Sequence, residues 1–342
     1  MIGREEEQAV MRVMRSGSLS GYQGNWSDAF WGGDEVRGLE KEWASYFGIK
    51  HAAVCNSATS GLWAACNAIG LTHGDEVIVT PYSMTCSATV PLLFGAYPVF
   101  ADIEPDFYCL DPKSIEKKFT EFTKAVIVVN LFGMPADYDR INKMCHERGI
   151  VVIEDSAQSI GARYKDRYAG TLGDICVSSL NRHKHINCGE GGVVTTNSDE
   201  YDMKVRMSIN HAEAVANDMV WKGESVGNSL VEMVGMNLRM TELSAAVARE
   251  QLKKLDSIIK VYQDNAKDFG IPIRSGCTSS YYKYATMNPV NPNPDKYNFK
   301  QHYITPILRM PLFKSLGYDP DKCPVCDEVE SRISLGWMKE VV

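Results

Sequence analysis

The sequence contains no run of about 18 or more apolar residues, so no segment is long enough to cross a bilayer as a helix. It also lacks clustered Lys and Arg. With 36 basic residues against 43 acidic ones the formal charge is -7, which removes the electrostatic case for a nucleic-acid or anionic-membrane partner. There is no internal repeat and no low-complexity tract. The first residues, MIGREEEQAVMRVMRSG, are too charged to read as a signal peptide, and the expected location is cytoplasmic. The ten cysteines follow no repeated spacing; Cys55, Cys66, Cys109 and Cys176 lie in apolar stretches, where a thiol acts as a small hydrophobe. One CxxC pair, Cys323 with Cys326, has neither a second pair nor histidines nearby, so no metal site is expected there.

What the chain does have is an ordinary globular composition: 342 residues, 44% hydrophobic and 23% charged, enough for one large domain plus a smaller one, or two similar ones. From His51 to about Asn197 extended and helical patterns alternate. ATSGLWAACNAIGL, DPKSIEKKFTE and DYDRINKMCHERG read as helices; DEVIVTP, PVFADI, KAVIVVNLFG, IVVIEDS and GGVVTTN read as strands. Strands separated by helices need crossover connections, so a mostly parallel sheet covered on both faces is expected. Ligands of such sheets sit at the carboxyl ends of the strands. Residues Thr241 to Lys260 show one long helical pattern through Leu243, Ala246, Leu252 and Leu255. Beyond it, Pro289, Pro292, Pro294, Pro306 and Pro311 exclude a long helix and predict extended chain over a small C-terminal domain.

Three pieces fall near successive strand ends. In NSATSG (Asn56 to Gly61) small hydroxyl residues open a helix, where backbone amides, hydroxyls and the helix dipole can hold a phosphate; Thr59 is the best candidate. The plainer alternative is that Ser57 or Thr59 caps the helix. In EDSAQ (Glu154 to Gln158), Asp155 ends a buried strand, a costly place for an ionised carboxylate unless it meets a cation or hydrogen-bond donors. Lys184 precedes the glycine turn GEGG; it is either a solvated lysine or a partly desolvated amine able to condense with a carbonyl.

In order and spacing these pieces, with GDEVIVTPYS, GAYPVFADIEPD, NLFGMPADYD, VIEDSAQSIGARY, GTLGDICVSSLNRHKHINCGEGGVVTTN and GMNLRMTELSAAVAREQLKKLD, resemble the DegT/StrS (DegT/DnrJ/EryC) family of aminotransferases dependent on pyridoxal 5'-phosphate. The resemblance covers about Val36 to Leu255. It implies the aspartate aminotransferase fold (type I): a three-layer α/β/α large domain with a mostly parallel mixed sheet, residues 1–240 with an N-terminal arm, and a connecting helix and smaller, shortened α+β domain over 241–342. It implies an enzyme that moves an amino group from glutamate or glutamine to a keto or aldehyde sugar, typically nucleotide-linked, by a ping-pong Schiff-base mechanism. Lys184 matches the lysine that holds the cofactor, Asp155 the carboxylate that keeps the pyridine nitrogen protonated, and Gln158 the residue bonded to the ring hydroxyl. Ala58, Thr59 and Ser179 match the phosphate cradle. Asn237 matches a residue supplied by the neighbouring subunit to the same phosphate, so a homodimer with shared active sites is implied.

Departures from the family pattern are as informative. Met84 stands where an aromatic residue usually covers the cofactor ring, and a thioether covers it with less area. Ala58 replaces a glycine of the phosphate loop, Asn130 a histidine before the FG turn, and Ala212 a glycine after His211; the last two changes lie near where substrate would enter. A branch of the family that dehydrates keto-deoxy sugars has histidine in place of the lysine; here the spacing to GEGG gives that position to Lys184, with His183 and His185 read as packing or surface residues. Dehydration and a catalytically silent cofactor-binding sensor are the alternatives within the fold. A dinucleotide-dependent oxidoreductase is the alternative outside it, and CGEGG speaks against it by leading into a strand where the dinucleotide fingerprint opens a helix.

Overall fold

Hydrophobic strands joined by short amphipathic helices build two compact units, each from two stretches of chain: residues Met1–Gly70 with Asp174–Leu255, and Leu71–Gly173 with Asp256–Val342. The computed structural model describes residues 2–23, 27–212, 233–267, 269–287, 294–301 and 304–338, so Pro289 and Pro292 lie outside the described residues.

The first unit holds α1 (Arg4–Ser16), α2 (Asp34–Phe47), β1 (His51–Cys55), α3 (Ala58–Ala68), β8 (Ile175–Ser179), β9 (Gly192–Thr196), α7 (Asp199–Ile209) and α8 (Glu242–Lys253), numbered along the whole chain. Strand β9 lies between β1 and β8 and pairs antiparallel with both, so that Cys55, Gly192 and Ser179 stand side by side. Helix α3 packs tightly on this ribbon because Gly61 has no side chain: a Cβ there would stand 2.8 Å from Val177 and 3.1 Å from Val194. A buried ion network ties α2 and α7 to β1. Arg206 reaches Glu40 (2.9 Å), Asp202 (3.0 Å) and the Ala52 carbonyl (2.7 Å), while Glu40 accepts the Val54 N–H. Each buried charge thus has a partner, without which it would be strongly destabilising.

The second unit contains β2 (Glu76–Val79), α4 (Cys86–Leu92), β3 (Tyr97–Phe100), α5 (Pro112–Glu116), β4 (Thr123–Val129), α6 (Tyr138–His146) and β5 (Val151–Asp155). Its strands run parallel in the order β5-β4-β2-β3. Ala125, Val126, Ile127, Val128, Val152 and Ile153 are fully buried, the continuous apolar run expected of strands covered on both faces. The predicted helices start where their caps stand: Asp111 accepts from Lys113 N–H and Asp137 from Arg140 N–H. A small sheet joins β6 (Arg163–Tyr164), β7 (Arg167–Tyr168) and β10 (Cys277–Thr278). Another, ordered β11-β13-β12, joins β11 (Tyr284–Thr286), β12 (Tyr297–Gln301) and β13 (Ser334–Met338) antiparallel. The class is α/β, parallel in one set of main strands and antiparallel in the other, hence mixed.

Two details differ from the sequence reading. The helical pattern from Thr241 is broken at Lys254, where the N–H turns back to the carbonyl of Gln251, three residues away, and α9 (Leu255–Ala266) starts afresh. Of the C-terminal prolines, Pro311 opens the short α10 (Pro311–Ser315), where a missing N–H costs nothing. The CxxC pair opens α11 (Pro324–Arg332), whose N–H groups at Val325 and Cys326 donate to the Asp102 carboxylate at 2.9 Å. Burial pushes the Cys323 thiol up to about 12 and raises that of Cys326 as well, so both stay protonated. No helix among the described residues is long and apolar enough to cross a membrane.

Helix α1 packs Ala9 and Val13 against Ala246 and buries one acid, Glu6. Burial alone would raise the Glu6 carboxyl, but the Lys254 ammonium, the Gln251 amide and the Gly3 N–H outweigh it and hold it at about 2. A depressed carboxyl stabilises the folded state above its ordinary pKa of 4.5 and loses that contribution as pH falls toward 2. Proteolysis of α1 followed against pH should therefore accelerate below about 4.5 in the native chain. In Glu6→Gln it should be faster at neutral pH and nearly flat over the same window.

Candidate functional site

In the first unit the sequence NSATSG folds as a capped helix start. The Ser57 hydroxyl accepts the Ser60 N–H (3.1 Å), Ser60 donates in turn to Asn56 (2.6 Å), and the first backbone turn runs from Gly61 N–H to the Ser57 carbonyl. Capping is thus the work of Ser57, and the exposed Thr59 hydroxyl is not used for it. The Ala58 and Thr59 amides precede the first intrahelical bond, so they point out of the helix end as an anion-binding pair would. Gly192 backs this turn. A Cβ on it would come within 2.6 Å of the Ser57 carbonyl group and 2.7 Å of the Ala58 nitrogen.

Lys184 sits in the connection between β8 and β9. Ser179, buried at the end of β8, is paired with Gly192; beyond it Leu180 N–H donates to Gly191, Arg182 N–H to Gly189 and Cys188 N–H to Leu180. Asn181 organises the tip: its carbonyl accepts the Lys184 N–H (2.8 Å), its side-chain oxygen accepts the His183 N–H, and its amide group donates to Glu190. The backbone around Lys184 is therefore fixed and its side chain is half-buried. Of the flanking histidines, His185 is buried and His183 exposed, where its ring accepts from Arg182. Asn237 lies exposed on a strap that bridges Asn210, and the next residue, Leu238, offers its carbonyl to Asn56 N–H at 2.8 Å. His211 and Ala212 turn with φ of 65° and 59° against Gly235. Ala212 therefore carries a methyl in the left-handed region where glycine is unstrained, a cost of about 1 to 2 kcal/mol.

In the second unit, β5 ends in two consecutive carboxylates whose side chains face opposite sides of the sheet. Glu154, with no exposure, accepts from Asn130 and Gly170 N–H on one oxygen (2.7 Å each) and from Leu172 and Gly173 N–H on the other (2.7 and 3.3 Å). Asp155, only 5% exposed, accepts the Ala157 N–H at 3.0 Å. Gln158 is equally buried; its side-chain oxygen accepts the Phe132 N–H at 2.9 Å, which leaves the NH2 end as the donor it presents. Met84 is 59% exposed, on the turn before α4. Asn130, expected near the substrate entrance, is fully buried: besides Glu154 it binds Ala136 N–H and the Tyr138 hydroxyl. It holds the strand end together.

The structure thus brings Ala58, Thr59, Ser179 and the lysine hairpin around Gly192 in one unit, and Asp155 and Gln158 onto one strand end in the other. Glu154, Gly192 and Asn181 were not among the residues expected to matter. Only the acidic pair ED, half of which had to be satisfied internally, carried a signal for one of them.

A family model described as the DegT/DnrJ/EryC1/StrS aminotransferase family matches residues 2–274, and the chain belongs to that family. It is 36% identical over 263 residues to the spore coat polysaccharide biosynthesis protein SpsC of Bacillus subtilis, covering 76% of this chain and 64% of that protein. To a GDP-perosamine synthase of Vibrio cholerae it is 33% identical, over 71% of this chain and 65% of the other. The chain thus spans a little under two thirds of the length of these relatives. Among solved structures, an aminotransferase from Psychrobacter cryohalolentis matches with a TM-score of 0.81 at 28% identity, covering 98% of this chain and 92% of that one.

Enzymes of this family use pyridoxal 5'-phosphate, and the donor set fits it. A helix start with two outward amides and a spare hydroxyl suits a phosphate; a buried aspartate suits a protonated ring nitrogen; a half-buried lysine on a rigid turn suits an aldehyde. Because Gly192 is pressed against the start of α3, Gly192→Ala should displace that turn. We expect a loss of about 2 kcal/mol or more in urea unfolding, together with weaker phosphate and cofactor binding; unchanged stability would show that the backbone there yields freely.

Proposed function

We propose that the protein is a pyridoxal-phosphate-dependent aminotransferase that transfers an amino group from glutamate or glutamine to a keto or aldehyde sugar, with a nucleotide-linked sugar the favoured acceptor. The observation that carries this reading is the family match together with Lys184 on a hairpin whose backbone is fixed by Asn181 and by pairing of Ser179 with Gly192. The similarity to a GDP-perosamine synthase supports the sugar class. Lysine, with an exposed histidine before it and a buried one after it, supports transamination over the dehydration seen in the histidine branch.

In this reading Thr59, Ser179 and the Ala58–Thr59 amides bind the cofactor phosphate. Asp155 pairs with the ring nitrogen and keeps it protonated, and Gln158 donates to the ring hydroxyl. Bound there, pyridoxal phosphate supplies an electron sink for the carbon that carries nitrogen. Lys184 would hold the cofactor, and its amine, once free, would take the proton from the donor's alpha carbon as the general base. The same residues run the reaction backwards on the keto acceptor, so the kinetics should be ping-pong. Met84 would cover the ring with less area than an aromatic residue would provide. Division at residue 240 into a cofactor-binding domain and a small C-terminal domain, a cytoplasmic location, and a homodimer in which Asn237 serves the neighbouring phosphate belong to the same proposal. Exposure of Asn237 supports the last of these.

Borohydride treatment of the cofactor-loaded protein should fix one cofactor per chain on the peptide containing Lys184. Lys184→Ala should keep its circular dichroism and lose both this label and transamination; label on another lysine would overturn the assignment. Asp155→Asn should weaken cofactor binding and lower turnover about a hundredfold or more. Turnover equal to that of the native protein would remove Asp155 from its role.

A further inference from the structure

The orientation of Gln158 depends on a segment far along the chain. Its amide oxygen is held by the N–H of Phe132, a residue in the left-handed region at φ 56°, followed by Gly133 at φ 99°. A bulky residue there is strained and persists only where its surroundings over-determine it. Part of that surrounding is aromatic: Tyr82 and Tyr108 pack edge-on against the Phe132 ring. The rest comes from Ser279 and Ser280. The Ser279 hydroxyl (3.0 Å) and the Ser280 N–H (3.1 Å) both donate to the Gly133 carbonyl, and the Ser280 hydroxyl donates to the backbone carbonyl of Gln158 itself (3.3 Å). Ser279 also accepts the N–H of Tyr281, a second left-handed residue at φ 52°. Both serines are buried, and no Cβ fits on Gly133, since it would meet Tyr281 nitrogen at 2.6 Å.

We propose that Ser279 and Ser280 are positioning residues: they clasp the Phe132–Gly133 turn so that the Phe132 N–H fixes the Gln158 amide with its NH2 toward the cofactor's ring hydroxyl. This rests on the proposed pyridoxal-phosphate role of Gln158 and extends it to residues that touch no ligand. Without the clasp the turn relaxes, Gln158 rotates, and the ring hydroxyl loses an oriented donor.

The test is a cycle of Ser279→Ala, Ser280→Ala and Gln158→Ala with each double variant, read by cofactor dissociation constant and by the pH midpoint of the bound cofactor's absorbance change. Each serine variant is expected to raise the dissociation constant about fivefold to tenfold and to move the midpoint in the same direction as Gln158→Ala. Combined with Gln158→Ala, it should add little to either readout. Thermal melting of each apo-protein identifies any variant that fails to fold, and the other serine then carries the test. Serine variants that bind cofactor with native affinity and midpoint, or whose effects add fully to that of Gln158→Ala, overturn the clasp while leaving Gln158 in place. A silent Gln158→Ala in a protein that does bind the cofactor overturns the clasp together with the role of Gln158; a native protein that binds no pyridoxal phosphate overturns the functional reading beneath both.

Discussion

A carboxylate with no exposure must be met by donors or remain un-ionised, and the end of β5 is arranged around that constraint. Glu154 takes four N–H groups, one from Asn130 and three from the stretch Gly170 to Gly173. Those bonds fix where the strand stops and how the next turn leaves it. Since neighbouring side chains on a strand face opposite ways, anchoring Glu154 on one side determines where Asp155 stands on the other. Gln158 follows three residues on, held by Phe132. A single internal charge therefore sets the frame for the two residues assigned to the cofactor ring.

In the other unit the equivalent constraint is closeness of backbone. Gly192 is central to the β1-β9-β8 ribbon and is pressed against Ser57 and Ala58, so the strand that follows the lysine hairpin also buttresses the phosphate-type turn. The glycine that the close approach at this turn requires is Gly192, across the ribbon from Ala58. Among the described residues, strain is kept elsewhere, at Tyr108, Phe132, Lys165, His211, Ala212 and Tyr281, each in the left-handed region. Such residues cluster where a surrounding network specifies them.

Much of this was legible in the sequence because it is local. Runs such as KAVIVV and IVVIED can only be buried strands, and Asp111, Asp137 and Thr241 announce helix starts that the structure confirms. The motifs around Lys184 specified the family, which the comparison bears out. What escaped depends on partners distant in the chain. Nothing local to Asn130 showed that Glu154, Ala136 and Tyr138 would surround it. The break at Lys254 is invisible to helical periodicity, since Leu252 and Leu255 stay in phase across it. Nor could periodicity show that two serines near residue 280 bind Gly133.

The most direct test of the central claim, that Lys184 serves a working aminotransferase, is the absorbance spectrum of the protein with pyridoxal phosphate before and after glutamate. A yellow band that bleaches with glutamate and returns with 2-oxoglutarate is the expected result. No band on adding the cofactor, or a band that stays unchanged with glutamate and with glutamine, would contradict it.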